Sequence, residues 1–203
     1  MWIVKLGGSW LLNPRLNELL DYLSNFKNAP ISIVVGGGLF AQTIRDSQKV
    51  INFSDNLGHH LALLSTENFA RILNNINPSY ELTSNYRRIY SKRKIQVWLP
   101  SKQLTNDLSF SKDWESTSDS IASWLCKKIN AKGVIFIKSI KFKKNLELKA
   151  KTLQRKGILD KNILKYISKN ASLKIVGPEV LDIFKEYDKW SEIVMNLNDV
   201  RVN

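Results

Sequence analysis

The chain has 203 residues, 43% apolar and 24% charged, enough to build one core and too hydrophobic to stay disordered. Its one cysteine, Cys126, excludes an internal disulfide and a cysteine-cluster metal site, and its two histidines, His59 and His60, cannot form a histidine-rich one. The 31 basic residues against 18 acidic give a formal charge of +13, which attracts anions, although the excess of lysine and asparagine also fits a plain compositional bias with lysines solvating the surface.

Residues 1–6 read as a buried strand rather than a secretion signal, so a cytoplasmic protein is expected. No apolar run approaches the roughly 18 residues of a membrane span, and no membrane partner is expected. Asn13 offers a helix cap with Pro14 at the first helical position, and Leu16, Leu19, Leu20, Leu23 and Phe26 follow at helical spacing until Ala29-Pro30 breaks it. Ile31-Ser32-Ile33-Val34-Val35 is a second buried strand, closed by Gly36-Gly37-Gly38. A helix resumes from Leu39 to about Val50. Ser54 can cap a long helix with an apolar face of Leu57, Leu61, Leu64, Phe69, Ile72 and Leu73.

A third strand covers residues 94–99 and stops at Pro100; residues 101–115 are polar and turn-rich. An amphipathic helix covers 120–129, and Gly133 opens the strand Val134-Ile135-Phe136-Ile137. Residues 141–156 form a lysine-rich excursion. A helix is expected over 161–169, a strand over 173–176 and a last helix over 178–187. Strands alternate with helices throughout, which predicts an α/β fold: a three-layer α/β/α sandwich on a mainly parallel central sheet, in one compact domain over 1–203.

Ligands of such sheets sit at the carboxyl ends of the strands. That edge gathers Lys5, Gly7, Gly8 and Ser9 after the first strand, Gly36, Gly37 and Gly38 after the second, Thr117, Ser118 and Asp119 before the helix at 120, and Lys138 after the strand at 134. Glycine loops let backbone N–H groups wrap an anion, and a neighbouring lysine supplies charge for phosphoryl transfer. Neither a Gly-x-x-x-x-Gly-Lys-Ser/Thr loop nor a Gly-x-Gly-x-x-Gly fingerprint occurs, which disfavours P-loop and dinucleotide folds.

Lys5-Leu6-Gly7-Gly8-Ser9, Val34-Val35-Gly36-Gly37-Gly38 and Thr117-Ser118-Asp119 together resemble the motifs of the amino acid kinase superfamily, in order and spacing over residues 1–140. The continuation Leu39-Phe40-Ala41, Ile44-Arg45, Ser54-Asp55 and His59, and later Trp98-Leu99-Pro100 and Trp114 to Leu125, resembles the superfamily branch whose archaeal members phosphorylate [5-(aminomethyl)furan-3-yl]methyl phosphate in methanofuran biosynthesis, with relatives in bacteria of the related C1 pathway.

The resemblance implies an ATP-dependent kinase, with magnesium brought by the nucleotide and a small phosphorylated metabolite as acceptor. Kinases of uridylate, isopentenyl phosphate or a carboxylate, and a non-catalytic nucleotide-binding protein of the same fold, are the alternatives. It implies catalytic roles for Lys5, Asp119 and Lys138, with Asp119 organising the lysines rather than acting as a base. Gly7, Gly8, Ser9 and Lys138 would hold the nucleotide phosphates. Gly36, Gly37, Gly38, Arg45, His59, Thr117 and Ser118 would serve the acceptor. No metal ligand is expected from the protein. The acceptor-side lobe would cover about 1–130, the nucleotide-side lobe about 131–203, and the chain would form a homo-oligomer.

Two departures stand out: Lys138-Ser139-Ile140-Lys141 replaces an Asp-Gly pair, and the late catalytic lysine of acetylglutamate kinases has no counterpart, leaving Lys138 as its replacement. Asp160 sits where relatives often carry an aspartate. The basic cluster Arg87-Arg88 and Lys92-Arg93-Lys94, interleaved with Tyr86 and Tyr90, reads as an exposed sheet edge, and nucleic acid is disfavoured as a partner. Cys126 is expected to be buried and inert, and Trp114 and Trp124 to be core or pocket wall.

Overall fold

A computed structural model describes residues 1–26, 29, 31–91, 94–143 and 147–202, the side chains of Tyr90 and Ser91 excepted. Pro30 and the cluster residues Lys92 and Arg93 lie outside them, as does Lys144 of the basic excursion. The strands are β1 (Trp2–Leu6), β2 (Ile31–Val35), β3 (Tyr80–Thr83), β4 (Ile95–Trp98), β5 (Gly133–Ile137), β6 (Leu148–Lys149), β7 (Ser172–Val176) and β8 (Asn198–Arg201). They join in one sheet of order β3-β4-β2-β1-β5-β7-β8-β6, and only the β7–β8 pairing is antiparallel. From β1 the chain goes to β2 on one side and later to β5 on the other. The carboxyl end of β1 is therefore a topological switch point, where such sheets open a crevice.

The helices are α1 (Leu16–Asn25), α2 (Gly38–Ile51), α3 (Asp55–Ile76), α4 (Ser101–Leu104), α5 (Ser118–Lys128), α6 (Ala150–Arg155), α7 (Ile163–Tyr166), α8 (Val180–Glu186) and α9 (Trp190–Met195). They cover both faces of the sheet and create two apolar cores. One packs Ile3, Val34, Val134 and Phe136 under α5, α6 and α7; the other packs Val4, Leu6, Ile33 and Ile135 under α1, α3, α8 and α9. This is the three-layer arrangement expected from the alternation. The strict period of two puts Lys5 on the same face as Ile3, and Lys138 on the same face as Val134 and Phe136. Both lysines therefore face α5.

Some elements differ from expectation. Asn13 caps a turn, its Oδ1 accepting from Arg15 N–H at 2.9 Å, and α1 proper starts two residues past Pro14. Ser54 does cap α3, accepting from Leu57 N–H. The face α3 buries is only partly the expected one: Phe69 and Leu73 are buried, but Leu57 is exposed, Leu61, Leu64 and Ile72 are half-buried, and His59, Leu63, Thr66 and Ala70 are buried as well. Among the polar groups the helix turns inward, Glu67 accepts from Ser101 N–H at 2.9 Å. The expected helix over 161–169 shrinks to α7, and β3, α9 and β8 were not anticipated. Among the described residues, no helix is long and apolar enough to cross a membrane.

Candidate active site

The two glycine loops meet backbone to backbone. A Cβ on Gly8 would lie 2.2 Å from Gly38 N, and one on Gly36 would lie 2.5 Å from Gly8 N, so no side chain fits between the loops. Gly38 also needs its positive φ of 55° to turn from the loop into α2. The first loop continues into a 3-10 turn, Gly8–Leu12, whose buried Trp10 donates its indole N–H to the Lys138 carbonyl at 3.1 Å. Trp10 thus ties the first loop to the end of β5. It was missed in the sequence, where it reads only as one more apolar residue after Gly-Gly-Ser.

Not every glycine N–H is free. Gly7 N–H donates to Ile137 O and Gly36 N–H to Leu6 O, both at 2.9 Å, which extends the ladder past the strand ends. That corrects the expectation that these two amides face a phosphate. The amides of Gly8, Ser9, Gly37 and Gly38 carry no such bond among the described residues and are the ones available to an anion.

Asp119, one residue into α5, lies between the two lysines that the strand alternation delivers. Lys5 Nζ is 2.9 Å from Oδ1, and Lys138 Nζ is 2.6 Å from Oδ2 and 2.9 Å from Oδ1. Asp119 and Lys5 are buried. Burial opposes the charge on Asp119, but the Lys138 and Lys5 ammonium groups outweigh it and hold its pKa down at about 2. The Lys138 pKa is lowered by its burial and, against the pull of Asp119, by the nearby Lys5 charge. The site thus holds two ammonium groups organised by one carboxylate that stays ionised. Such charge is ready to meet a phosphoryl group without rearrangement.

Beside this cluster lies a cavity of about 170 Å³. Gly36, Gly37, Gly38, Arg45, His59, Thr117 and Ser118 all line it, and Gly8 closes one side. Gly7 and Ser9 do not reach it. Trp114 forms part of its wall, as one of its two expected placements had it, and Trp124 is core, stacked on Trp98 with ring centroids 5.6 Å apart. The Arg45 guanidinium lies 4.6 Å from the Trp114 ring centroid, and Trp114 is itself fixed by an indole bond to Gln48 at 2.7 Å. Arg45 Nε and His59 Nε2 are buried without partners among the described residues. Burial pushes the His59 pKa down, offset in part by the Leu104 backbone, so its imidazole is neutral near pH 7. Asp55 of the Ser54-Asp55 pair lines the same cavity, and so do Thr66, Lys112 and Asp113, which are not singled out in the sequence. The latter lie on α3 and in the turn-rich stretch before α5, where no local motif marks them.

Cys126 is buried, and burial pushes its thiol up to about 12, which makes it unreactive. Among the described residues no group of three or more His, Cys, Asp or Glu side chains gathers as metal ligands.

The uridylate kinase of Archaeoglobus fulgidus has the same fold, with a TM-score of 0.67 over 98% of this chain and 99% of that one, at 15% identity. UMP kinase from Ureaplasma parvum superposes with a TM-score of 0.68 over 98% and 97% of the two chains, at 13% identity. Aspartate kinase from Synechocystis does so with a TM-score of 0.66 over 87% of this chain and 37% of that one, at 11% identity. With the paired glycine loops and the Lys5–Asp119–Lys138 cluster at its centre, the chain has the fold of these nucleotide and amino acid kinases. The sequence is similar to the [5-(aminomethyl)furan-3-yl]methyl phosphate kinase of Methanocaldococcus jannaschii, 33% identical over 139 residues. The alignment covers 66% of this chain and 64% of that relative. No family model matches the chain.

Proposed function

We infer that the protein is an ATP-dependent kinase that transfers the γ-phosphoryl group to a phosphorylated small metabolite. The observation that carries this reading is the ionised Asp119 between Lys5 and Lys138, set where the two glycine loops meet and beside a cavity holding Arg45 and His59.

ATP would lay its terminal phosphates on the Gly8 and Ser9 amides and Lys138, on the side of β5, the nucleotide-side lobe. The acceptor would occupy the cavity, its phosphate toward the Gly37 and Gly38 amides and Arg45. Lys5 would neutralise the charge of the transferring group, and Asp119 would keep both ammonium groups in place. An acceptor phosphate is already ionised at neutral pH, so no general base is required. Magnesium fits as a companion of the nucleotide, since both Asp119 oxygens are engaged by lysine ammonium groups; when bound, it neutralises charge on the nucleotide phosphates.

The acceptor is [5-(aminomethyl)furan-3-yl]methyl phosphate or a near analogue, in methanofuran-type C1 cofactor synthesis in the cytoplasm. The similarity to the archaeal kinase supports this, and so does the cavity lining. Arg45 suits a phosphate, while Asp55 and Asp113 suit an ammonium and the neutral His59 Nε2 can accept a hydrogen bond from it. A homo-oligomer is part of the same reading, supported by the exposed apolar residues at the two ends of α2.

An ADP-release screen with Mg-ATP and a panel of phosphorylated acceptors tests it. Turnover with the furan phosphate is expected, with little on uridylate or isopentenyl phosphate. No ADP release above the water rate with any acceptor overturns the kinase reading, and preference for uridylate overturns the acceptor.

A further inference from the structure

The start of α5 is held in an unusual way. A helix leaves its first N–H groups without internal partners, and the side chain of the N-cap residue normally accepts from them. Thr117 stands at that position but makes no such bond. Its hydroxyl instead donates to Asp160 Oδ1 at 2.6 Å, while Asp160 Oδ2 accepts from Thr117 N–H at 2.8 Å and Ser120 N–H at 3.0 Å. A carboxylate 43 residues past Thr117 is the cap. Its negative charge also suits the positive end of the helix.

The contact reaches the reacting groups. Asp160 N–H donates to Asp119 Oδ2 at 3.3 Å, the oxygen that Lys138 meets at 2.6 Å. The neighbours of Asp160 bind the acceptor wall: Asn162 Nδ2 donates to Ser116 Oγ at 2.8 Å, and Lys161 pairs with Glu115 at 2.5 Å. From these contacts we propose that Asp160 is a positioning residue for phosphoryl transfer, holding Thr117 to Ser120 so that Asp119 stays between Lys5 and Lys138. The proposal rests on the kinase reading above.

A cap that only stabilises the helix would change folding and leave the chemistry's pH dependence alone. A positioning carboxylate acts on both. The charged groups facing Asp160 are Asp119 from α5, Lys138 just past β5 and Lys5 from β1. Burial and the Asp119 charge raise the Asp160 pKa, whereas its bond from Thr117 lowers it. Asp119 stays ionised far below neutral pH, so on acidification Asp160 loses its charge first and releases the helix start.

The test compares wild type, Asp160→Asn and Thr117→Val by steady-state kinetics against pH, with circular dichroism to check the fold. Asp160→Asn should lower kcat by about tenfold or more while changing the KM for ATP far less, and should lose the part of the acid limb that wild type owes to this carboxyl. Thr117→Val keeps the Asp160 charge and both amide bonds. It should fold, lower kcat modestly, and move the acid limb to higher pH, because the bond that lowers the Asp160 pKa is gone. An active wild type with Asp160→Asn close to it in kcat and unchanged in pH profile overturns the role. If Asp160→Asn does not fold, an unmoved acid limb in Thr117→Val overturns it. A wild type with no transfer to any acceptor fails differently, and overturns the kinase reading together with this role.

Discussion

Lys5 and Asp119 depend on each other because both are buried. A buried ion is costly without a partner, and the Asp119 carboxylate 2.9 Å from Lys5 Nζ is one. In the proposed reaction Lys5 supplies charge to the transferring group, so Lys5→Ala should lower kcat by roughly 10²–10³. ATP affinity should fall less, since the Gly8 and Ser9 amides remain. Asp119→Asn should also be slow, yet bind ATP at least as tightly, because it removes a negative charge beside the phosphates. Kinetics and ATP titration of both variants check this, and a Lys5→Ala enzyme with near-normal kcat would move the role to Lys138. The same pair sets an acid limit on stability. The folded pKa of Asp119 is about 2, below the roughly 3.9 of an unfolded aspartate. A depressed carboxyl contributes stability fully present above the unfolded value and lost as pH falls through the folded one. The stability gap between wild type and Asp119→Asn should therefore narrow as pH drops from about 4 toward 2, as read by urea midpoints.

The glycine loops act as one element made of two. With 2.2 Å between a Cβ on Gly8 and Gly38 N, Gly8→Ala must push the second loop and the start of α2 away. Overpacking of this kind costs about 1–3 kcal/mol, and here it also separates the two sets of free amides proposed to meet phosphates. The expected outcome is a lower melting temperature and loss of most activity, with KM raised for both substrates; a Gly8→Ala enzyme with wild-type kinetics would mean that the loops do not work in contact. This contact shows where sequence legibility stops. Lys5, both glycine runs and Asp119 were readable because each sits directly after an apolar strand or before a helix. Trp10 was not, since its bond to the Lys138 carbonyl spans 128 positions. The elements missed share a cause. β8 is Asn-Asp-Val-Arg, poor strand composition, and is made a strand by its pairing with β7 and the Lys174–Asp199 bridge at 2.8 Å. β3 has four residues after a turn-forming Asn77-Pro78 and depends on β4 for its place. In the long α3 the apolar spacing suggested one face, of which Phe69 and Leu73 are buried, but polar groups lining the cavity and meeting α4 shift the rest of it.

At the scale of the whole molecule, α2 is the unresolved surface. It buries none of its residues, and Leu39, Phe40, Val50 and Ile51 all stand exposed, Val50 at 85%. Residues 39, 43, 46 and 50 share one helix face, apolar at both ends and polar in the middle with Thr43 and Asp46. That pattern reads the same from either end. A second copy crossing antiparallel at the midpoint would set Leu39 against Val50 of the partner subunit and Thr43 against Asp46 of the partner subunit, the self-complementarity a two-fold contact requires. The homo-oligomer expected from the family resemblance would use this face. Val50→Glu puts a charge into both apolar ends at once while leaving the cores untouched. It should shift the protein to monomers in sedimentation or light scattering, with unchanged circular dichroism. Wild type that is monomeric at tens of micromolar, or a Val50→Glu variant that assembles normally, would sink the assignment. Because α2 begins at Gly38 and carries Arg45, both lining the cavity proposed for the acceptor, freeing its outer face should loosen that wall more than the proposed nucleotide side. The monomeric variant is therefore expected to show a raised KM for the phosphorylated acceptor with a nearly constant KM for ATP, and equal changes in both would argue that the contact is remote from the acceptor wall.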